Sequence, residues 1–129
     1  MSKYKKYLGI DWGEKRIGLA CADEEIKIAT PWKVVNSLQE LFKVIKEEEI
    51  DEIILGAPYK MHDIKASLHP KFENFLSEFK ENINISIKEV DERLSSKTAD
   101  SFIGSPKQKA SRDASSAMVI LQQYLDSLH

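Results

Sequence analysis

Carboxylates placed at the ends of apolar runs are the residues of this chain whose chemistry needs explaining. Asp11 follows Leu8-Gly9-Ile10, Asp91 and Glu92 follow Ile85, Ile87 and Val90, and Asp113 precedes a helical stripe through Ala117, Met118 and Leu121. A carboxylate at the end of a buried strand must be solvated, paired or bound to a metal, or it carries a desolvation penalty. If these positions meet on one edge of a sheet, hard divalent cations between them relieve their mutual repulsion. Two such ions about 3.5–4 Å apart hold a phosphodiester, activate water and stabilise the leaving oxygen of an in-line displacement. The expected chemistry is therefore phosphodiester hydrolysis. Lys107, Lys109 and Arg112 lie in the turn-rich run just before Asp113. A basic loop there would meet a nucleic-acid backbone through charge, without reading its sequence.

These side chains need a scaffold, and the apolar periodicity supplies one. Leu8 and Ile10 drive a strand into Asp11, Gly13 turns it, and Ile17, Leu19 and Cys21 alternate with Arg16, Gly18 and Ala20 as a returning strand would. Ile26, Ile28, Val34 and Val35 around Pro31-Trp32 predict a third strand over 26–35. Proline lacks a ladder donor, so this strand belongs at the sheet edge. Ser37 with Glu40 reads as a capping box ahead of a helix carrying Leu38, Leu41, Phe42 and Ile45. The continuous apolar run over 52–58 is the pattern of a parallel strand covered on both faces.

Ser67 as N-cap, Pro70 in the first turn and the stripe Leu68, Phe72, Phe75, Leu76 and Phe79 predict a second helix. A strand over 84–90, a short helix over 95–102 and an exposed, mobile loop over 104–112 follow. The last helix is expected to start at Asp113, whose charge in the first turn would gain roughly 0.3–1 kcal/mol from the helix dipole. The order is βββαβαβα: an α/β fold with a mixed five-stranded sheet and helices on both faces.

Composition narrows the function classes. At 129 residues and 42% apolar content, one domain over 1–129 is expected, with no room for a second lobe. Lysine and arginine number 19 against 21 acids, a net charge of −2, which excludes coating of nucleic acid or anionic membrane by bulk charge. The single cysteine, Cys21, permits no internal disulfide and reads as a small core side chain. No apolar run of about 18 residues could span a bilayer, and Met1 to Lys6 lacks the core of a signal peptide, so no membrane partner and a cytoplasmic location are expected. His62, His69 and His129 lack ligand spacing and read as surface residues. Trp12 and Trp32 read as packing residues, although Trp12 beside Asp11 could also stack on a base. Taken singly, Asp11 could be a turn residue and Asp113 a helix cap.

Four segments together carry a family likeness: Gly9-Ile10-Asp11-Trp12-Gly13 through Arg16, Gly18 and Ala20; Ile54-Leu55-Gly56-Ala57-Pro58; Asp91-Glu92-Arg93-Leu94-Ser95; and Asp113-Ala114-Ser115-Ser116-Ala117 through Ile120-Leu121-Gln122. In this order they resemble the YqgF/RuvX family of RNase H-like nucleases, described as Holliday junction resolvases and as nucleases that process the 16S ribosomal RNA precursor. The resemblance implies an RNase H-like fold and a phosphodiesterase dependent on Mg²⁺ or Mn²⁺. It places catalytic, metal-holding acids at Asp11, Glu92 and Asp113, with Asp91 the alternative to Glu92. It also makes Arg16 and Arg93 residues that orient carboxylates or meet phosphate.

The chain departs from the family at Ala57, where leucine is common, over Tyr59 to Asp63, where a glycine-containing turn is common, and at the Ser115-Ser116 pair. None of these changes removes an acid. The expected substrate is precursor ribosomal RNA, with branched DNA second and a non-catalytic nucleic-acid or ribosome-binding module third. A monomer or weak homodimer is expected. The phosphate-binding hairpins of sugar kinases and actin-like ATPases also place an Asp before glycines, but those proteins need two lobes.

Overall fold

In a computed structural model, residues 4–13, 15–57, 70–91 and 109–128 are described, except for the side chains at 57, 91 and 109–113. The elements are β1 (Lys6–Asp11), β2 (Ile17–Asp23), β3 (Thr30–Val35), α1 (Leu38–Glu47), β4 (Glu52–Ala57), α2 (Pro70–Asn82), β5 (Ser86–Asp91) and α3 (Lys109–Asp126). One five-stranded sheet runs in the order β3-β2-β1-β4-β5. β2 pairs antiparallel with both β1 and β3, whereas β1, β4 and β5 are mutually parallel. This is the mixed sheet that the apolar periodicity predicts. Pro31 sits on the outer strand, as its missing donor suggests, opposite Ala20 where the β2–β3 register shifts.

Strand alternation divides the core into two layers. Leu8, Ile10, Ile53 and Leu55 face α1 and α2, packing with Leu41, Phe72 and Phe79. Tyr7, Ala20 and Ile54 face the other way, against Ala117, Ile120, Leu121 and Leu125 of α3. Both faces of β1 and β4 are therefore covered, which is why these strands read as continuous apolar runs. The α3 layer is thin because small residues line it. A Cβ built on Gly9 would stand 2.8 Å from the Ala117 carbonyl oxygen and 2.8 Å from Leu121 Cβ, so only glycine lets the helix lie this close to β1.

Three boundaries differ from the sequence expectation, each for a local reason. β3 begins at Thr30 and not at 26, because Asp23 closes a turn by accepting from the Ile26 N–H through Oδ1 (2.8 Å) and from the Lys27 N–H through its carbonyl (3.0 Å). Lys27 is left-handed there (φ 59°), and Ile26 and Ile28 are exposed, each at 61%. β5 occupies 86–91, two residues later than at first expected at its start. α3 begins at Lys109, so residues 109–112 are helix and not loop. Lys, Ala and Arg are good helix formers, which extends the helix toward Pro106. Asp113 is thus in the second turn, no acid occupies the first, and the helix-dipole gain expected for it is lost.

The capping box at α1 is also shifted. The Glu40 N–H donates to Ser37 Oγ (3.2 Å), but the Glu40 carboxylate accepts from the Asn36 N–H (3.4 Å), one residue before the cap. The far end of α1 closes as a Schellman-type turn. There the Ile50 N–H donates to the Ile45 carbonyl (3.2 Å) and Glu49 takes the left-handed position (φ 53°). Cys21 is half-buried rather than core, with Sγ 3.5 Å from Thr30 Oγ1 where β2 leaves the covered part of the sheet. Trp12 and Trp32 pack against the larger core cluster, as expected. The Ser67 cap, Leu68, the segment 59–63, the helix expected over 95–102 and all three histidines lie outside the described residues. Among the described residues no helix is long and apolar enough to cross a membrane.

Candidate active site

The parallel strands β1, β4 and β5 end together. Asp11 is level with Gly56, which is level with Val90, and the next pair along is Ala57 with Asp91. The backbones of Asp11 and Asp91 therefore share one edge, two strand spacings or about 10 Å apart. The turn leaving β1 is tight enough to keep Asp11 at this edge. A Cβ on Gly13 would stand 2.6 Å from the Arg16 carbonyl oxygen, so glycine is required for Arg16 to close the hairpin.

The path of α3 brings in the remaining acid. Tyr124 meets Tyr7 edge-on, with ring centroids 6.4 Å apart, and Ala117 and Leu121 meet Gly9. Along β1 the order is Tyr7, Gly9, Asp11, while along α3 the matching order runs backwards from Tyr124. The helix is therefore antiparallel to the strand and its N-terminal half heads for the Asp11 edge. From Ala117 back to Asp113 is one turn, about 6 Å, and from Gly9 on to Asp11 is about 6.6 Å. The Asp113 backbone consequently reaches the level of Asp11. It does so on the α3 side of the sheet, the side on which Tyr7 and Val90 pack.

Asp11 is half-buried, and neither Asp11 nor Arg16 is without an interaction partner. Lys109 and Arg112 are the first and fourth residues of α3, so the helix carries them directly before Asp113. Glu92, Arg93 and Lys107 lie outside the described residues. Among the described residues no group of at least three His, Cys, Asp or Glu side chains is placed to hold a metal. Of the acids in question Asp11 is the one whose side chain is described, so the fit of a cation rests on the backbone convergence and on the oxygen chemistry of the donors. Carboxylates alone, with no sulfur or imidazole in the set, suit a hard divalent cation.

On the opposite face of the same edge a cavity of about 410 Å³ opens beside Trp12, the residue after Asp11, and among the described residues it is lined by Trp12, Lys15, Leu38, Lys71, Asn74, Phe75 and Glu78. Sequence reading assigned Phe75 to the core stripe and gave Lys15 and Lys71 no role. The signal available was Trp12 next to Asp11. A cavity of about 500 Å³ bounded by Lys6, Cys21, Asp23, Ile26, Ile28 and Trp32 lies at the other end of the strands, away from the acids.

A mixed sheet whose parallel strands end in acids, with one helix packed tightly on its far face, defines an RNase H-like α/β protein. Solved structures bear the fold out. The Fowlpox virus resolvase, solved with Holliday junction DNA, matches with a TM-score of 0.55 at 13% identity, covering 95% of this chain and 98% of that one. Thermus thermophilus RuvC matches with a TM-score of 0.51 at 12% identity, covering 95% of each. The chain belongs to the RuvX family, described as Holliday junction resolvase, whose pattern matches residues 5–127. Relatives described as "Putative pre-16S rRNA nuclease" include one from Dictyoglomus turgidum, 36% identical with 95% of each chain covered. Another, from Maridesulfovibrio salexigens, is 30% identical with 93% of this chain and 97% of the relative covered.

Proposed function

We propose that this protein is a divalent-metal-dependent endonuclease that hydrolyses phosphodiester bonds in the 16S ribosomal RNA precursor. The observation that carries the reading is the antiparallel run of α3 over Gly9, which brings the Asp113 backbone level with Asp11 at the end of the parallel strands. Two acids far apart in sequence gain a common address there. The third ligand in this reading is Glu92. Within β5, Val90 packs with the α3-side cluster and Ile87 with the other. Glu92 has the parity of Val90 and Asp91 that of Ile87, which favours Glu92 as the partner of Asp11.

Asp11, Glu92 and Asp113 would hold Mg²⁺ or Mn²⁺, which when bound supply Lewis-acid stabilisation of the phosphoryl oxygens and lower the pKa of water. Arg16 and Arg93 orient the carboxylates or meet the scissile phosphate. Lys107, Lys109 and Arg112 neutralise flanking phosphates, a contact that positions the strand without reading it. Lys109 and Arg112 occupy a turn where the helix dipole disfavours cations, so their placement gains nothing from the helix itself.

A second reading, cleavage of branched DNA, is favoured by the description of the family as a whole. It requires two sites facing opposite strands and hence a dimer. Side-by-side cleavage of a precursor ribosomal RNA fragment and a four-way DNA junction, with Mg²⁺, Mn²⁺ or chelator, tests both. Asp11→Asn should lower cleavage by roughly 10²- to 10⁴-fold, the worth of a lost ligand to a catalytic cation. It should leave the fold intact, because it removes one member of a repelling set without changing volume. Cleavage of the RNA that survives this change overturns the site. Cleavage of the junction alone moves the assignment to the second reading.

A further inference from the structure

The end of the sheet away from Asp11 holds a polar row that protein contacts leave unsatisfied. Tyr7 on β1 is level with Glu52 on β4, which is level with Ser86 on β5. Glu52 has the parity of Ile54 and faces α3, as Tyr7 does, and Tyr124 of α3 meets both of them. Glu52 is 7% exposed and Tyr7 4%, whereas Ser86 is exposed and Tyr124 half-buried, so the row opens to solvent at one end.

Two polar groups of this row have no hydrogen-bond partner among the described residues, the Tyr7 hydroxyl and Oε2 of Glu52. Ser86 Oγ and Tyr124 Oη both donate to the other carboxylate oxygen, Oε1, at 3.4 and 3.5 Å. A hydroxyl bound to a carboxylate ordinarily stands about 2.5–2.7 Å from it. These contacts are too long to satisfy the charge. Lys5, two residues before Tyr7, and Lys88, two residues after Ser86, are exposed and share the parity of the row. Neither forms an ion pair with Glu52 among the described residues. A buried charge is paired or coordinated, and a buried polar atom without a protein partner is one that binds water or an ion. Water would serve the hydrogen bonds and leave the charge unmatched. A cation serves both.

The spacing of the oxygens selects the size of that cation. Ligands at right angles around an ion 2.3–2.6 Å from each oxygen stand about 3.3–3.7 Å apart, which matches the row. Around Mg²⁺, at 2.0–2.1 Å, they stand about 2.8–3.0 Å apart, which does not. We propose that the Glu52 carboxylate and the hydroxyls of Ser86, Tyr124 and Tyr7 bind one hard cation of calcium's size, Ca²⁺ or Na⁺. The Tyr7 phenol has its pKa raised, first by burial and then by Glu24, Glu52 and Tyr124, so it serves as a neutral ligand. From Tyr7 to Asp11 is about 13 Å along β1, so this ion is separate from any held by the catalytic acids. It ties three parallel strands to the C-terminal half of α3.

Thermal unfolding and calorimetric titration test the site. All samples contain MgCl₂ to occupy the Asp11 edge, and CaCl₂ and NaCl are each compared with tetramethylammonium chloride at equal ionic strength. A site with one carboxylate is weak, with a Kd near 1 mM. About 10 mM of the ion should then raise Tm by roughly 3–7 °C, and the chloride that gives the saturable rise names the ion. Glu52→Gln should abolish the rise, and without the ion it should keep at least the native Tm, because it removes a buried charge. Ser86→Ala, at an exposed position that the fold does not need, and Tyr124→Phe should each weaken binding roughly 2- to 12-fold, the worth of one polar contact. Asp11→Asn should leave the titration unchanged.

No rise beyond that given by tetramethylammonium chloride overturns the site, as does a rise that survives in Glu52→Gln or is lost in Asp11→Asn. Unchanged binding in both Ser86→Ala and Tyr124→Phe overturns it, and so does an equal rise from additional MgCl₂.

Discussion

Replacing Gly9 by alanine links the packing of this fold to its chemistry in a single measurement. The added Cβ would meet the Ala117 carbonyl oxygen and Leu121 Cβ, each at 2.8 Å. Ordinary contact begins near 3.4 Å, so α3 must move away from β1 by something over half an ångström. One of the two obstacles is backbone, and no rotamer change relieves it. Overpacking of this kind costs about 1–3 kcal/mol. The loss of glycine's unfolded-state freedom offsets about 0.4–1 kcal/mol of that. A net loss of about 1–2 kcal/mol corresponds to a fall in Tm of roughly 3–10 °C for a chain of this size. The same displacement carries the α3 backbone, and with it Asp113, away from Asp11. A misplacement near 1 Å can cost about 10²-fold in rate. Thermal unfolding followed by circular dichroism, and cleavage measured well below the new Tm, read the two effects separately. An unchanged Tm would refute the close approach of α3. A lowered Tm with native cleavage would refute the role of α3 in setting the acids.

Other perturbations test independent parts of the structure. Glu92→Gln should suppress cleavage as strongly as Asp11→Asn while Asp91→Asn retains most of it; the opposite ranking in a cleavage assay would reassign the ligand. Glu49→Gly should stabilise the chain by about 0.5–1 kcal/mol, because the left-handed backbone at φ 53° costs a residue with a Cβ about 1–2 kcal/mol and the added chain entropy returns only part of that; urea unfolding would show it as a higher midpoint at constant slope. Tyr7 and Tyr124 both have pKa values raised above the usual 10.0, first by burial and then by neighbouring carboxylates, Glu24 and Glu52 for Tyr7 and Glu52 for Tyr124. The unfolded chain then loses these protons first, so stability should hold below about pH 10 and fall as pH rises toward the folded-state values. Tyr124→Phe should make that alkaline fall shallower in unfolding measured from pH 8 to 11, since it removes one such group and one cause of the shift on the other.

The fold was largely legible because its signals are local. Period-two and period-3.6 patterns around Leu8–Asp11, Leu38–Ile45, Ile53–Leu55 and Phe72–Phe79 reflect burial on one or both faces, and burial leaves its imprint in residue type. The misjudged boundaries were decided by individual hydrogen bonds. Ile26 and Ile28 alternate as a strand would, yet the Asp23 carboxylate and carbonyl close a turn through them. The start of α3 was misplaced because serine and glycine nearby suggested a loop, whereas Lys109 to Arg112 continue the helix. Cys21 had the parity of a core residue but stands where the covering layer ends.

By itself the sequence determined the kinds of element, their order, and which side chains have chemistry to offer, because propensity, alternation and residue type are properties of short stretches. Asp11 at the end of an apolar run was visible without any tertiary information. The company it keeps was decided by the tertiary structure. The parallel pairing of β1 with β4 and of β4 with β5 brings the Asp91 backbone to the Asp11 edge, and the close seat of α3 on Gly9 turns the backbone of Asp113 toward it. The cavity beside Trp12 is likewise a product of packing, since its walls come from the β1–β2 turn, from Leu38 of α1 and from α2, more than fifty residues beyond the turn. Pairing register and helix approach depend on contacts across the whole chain, and no short window of sequence contains them.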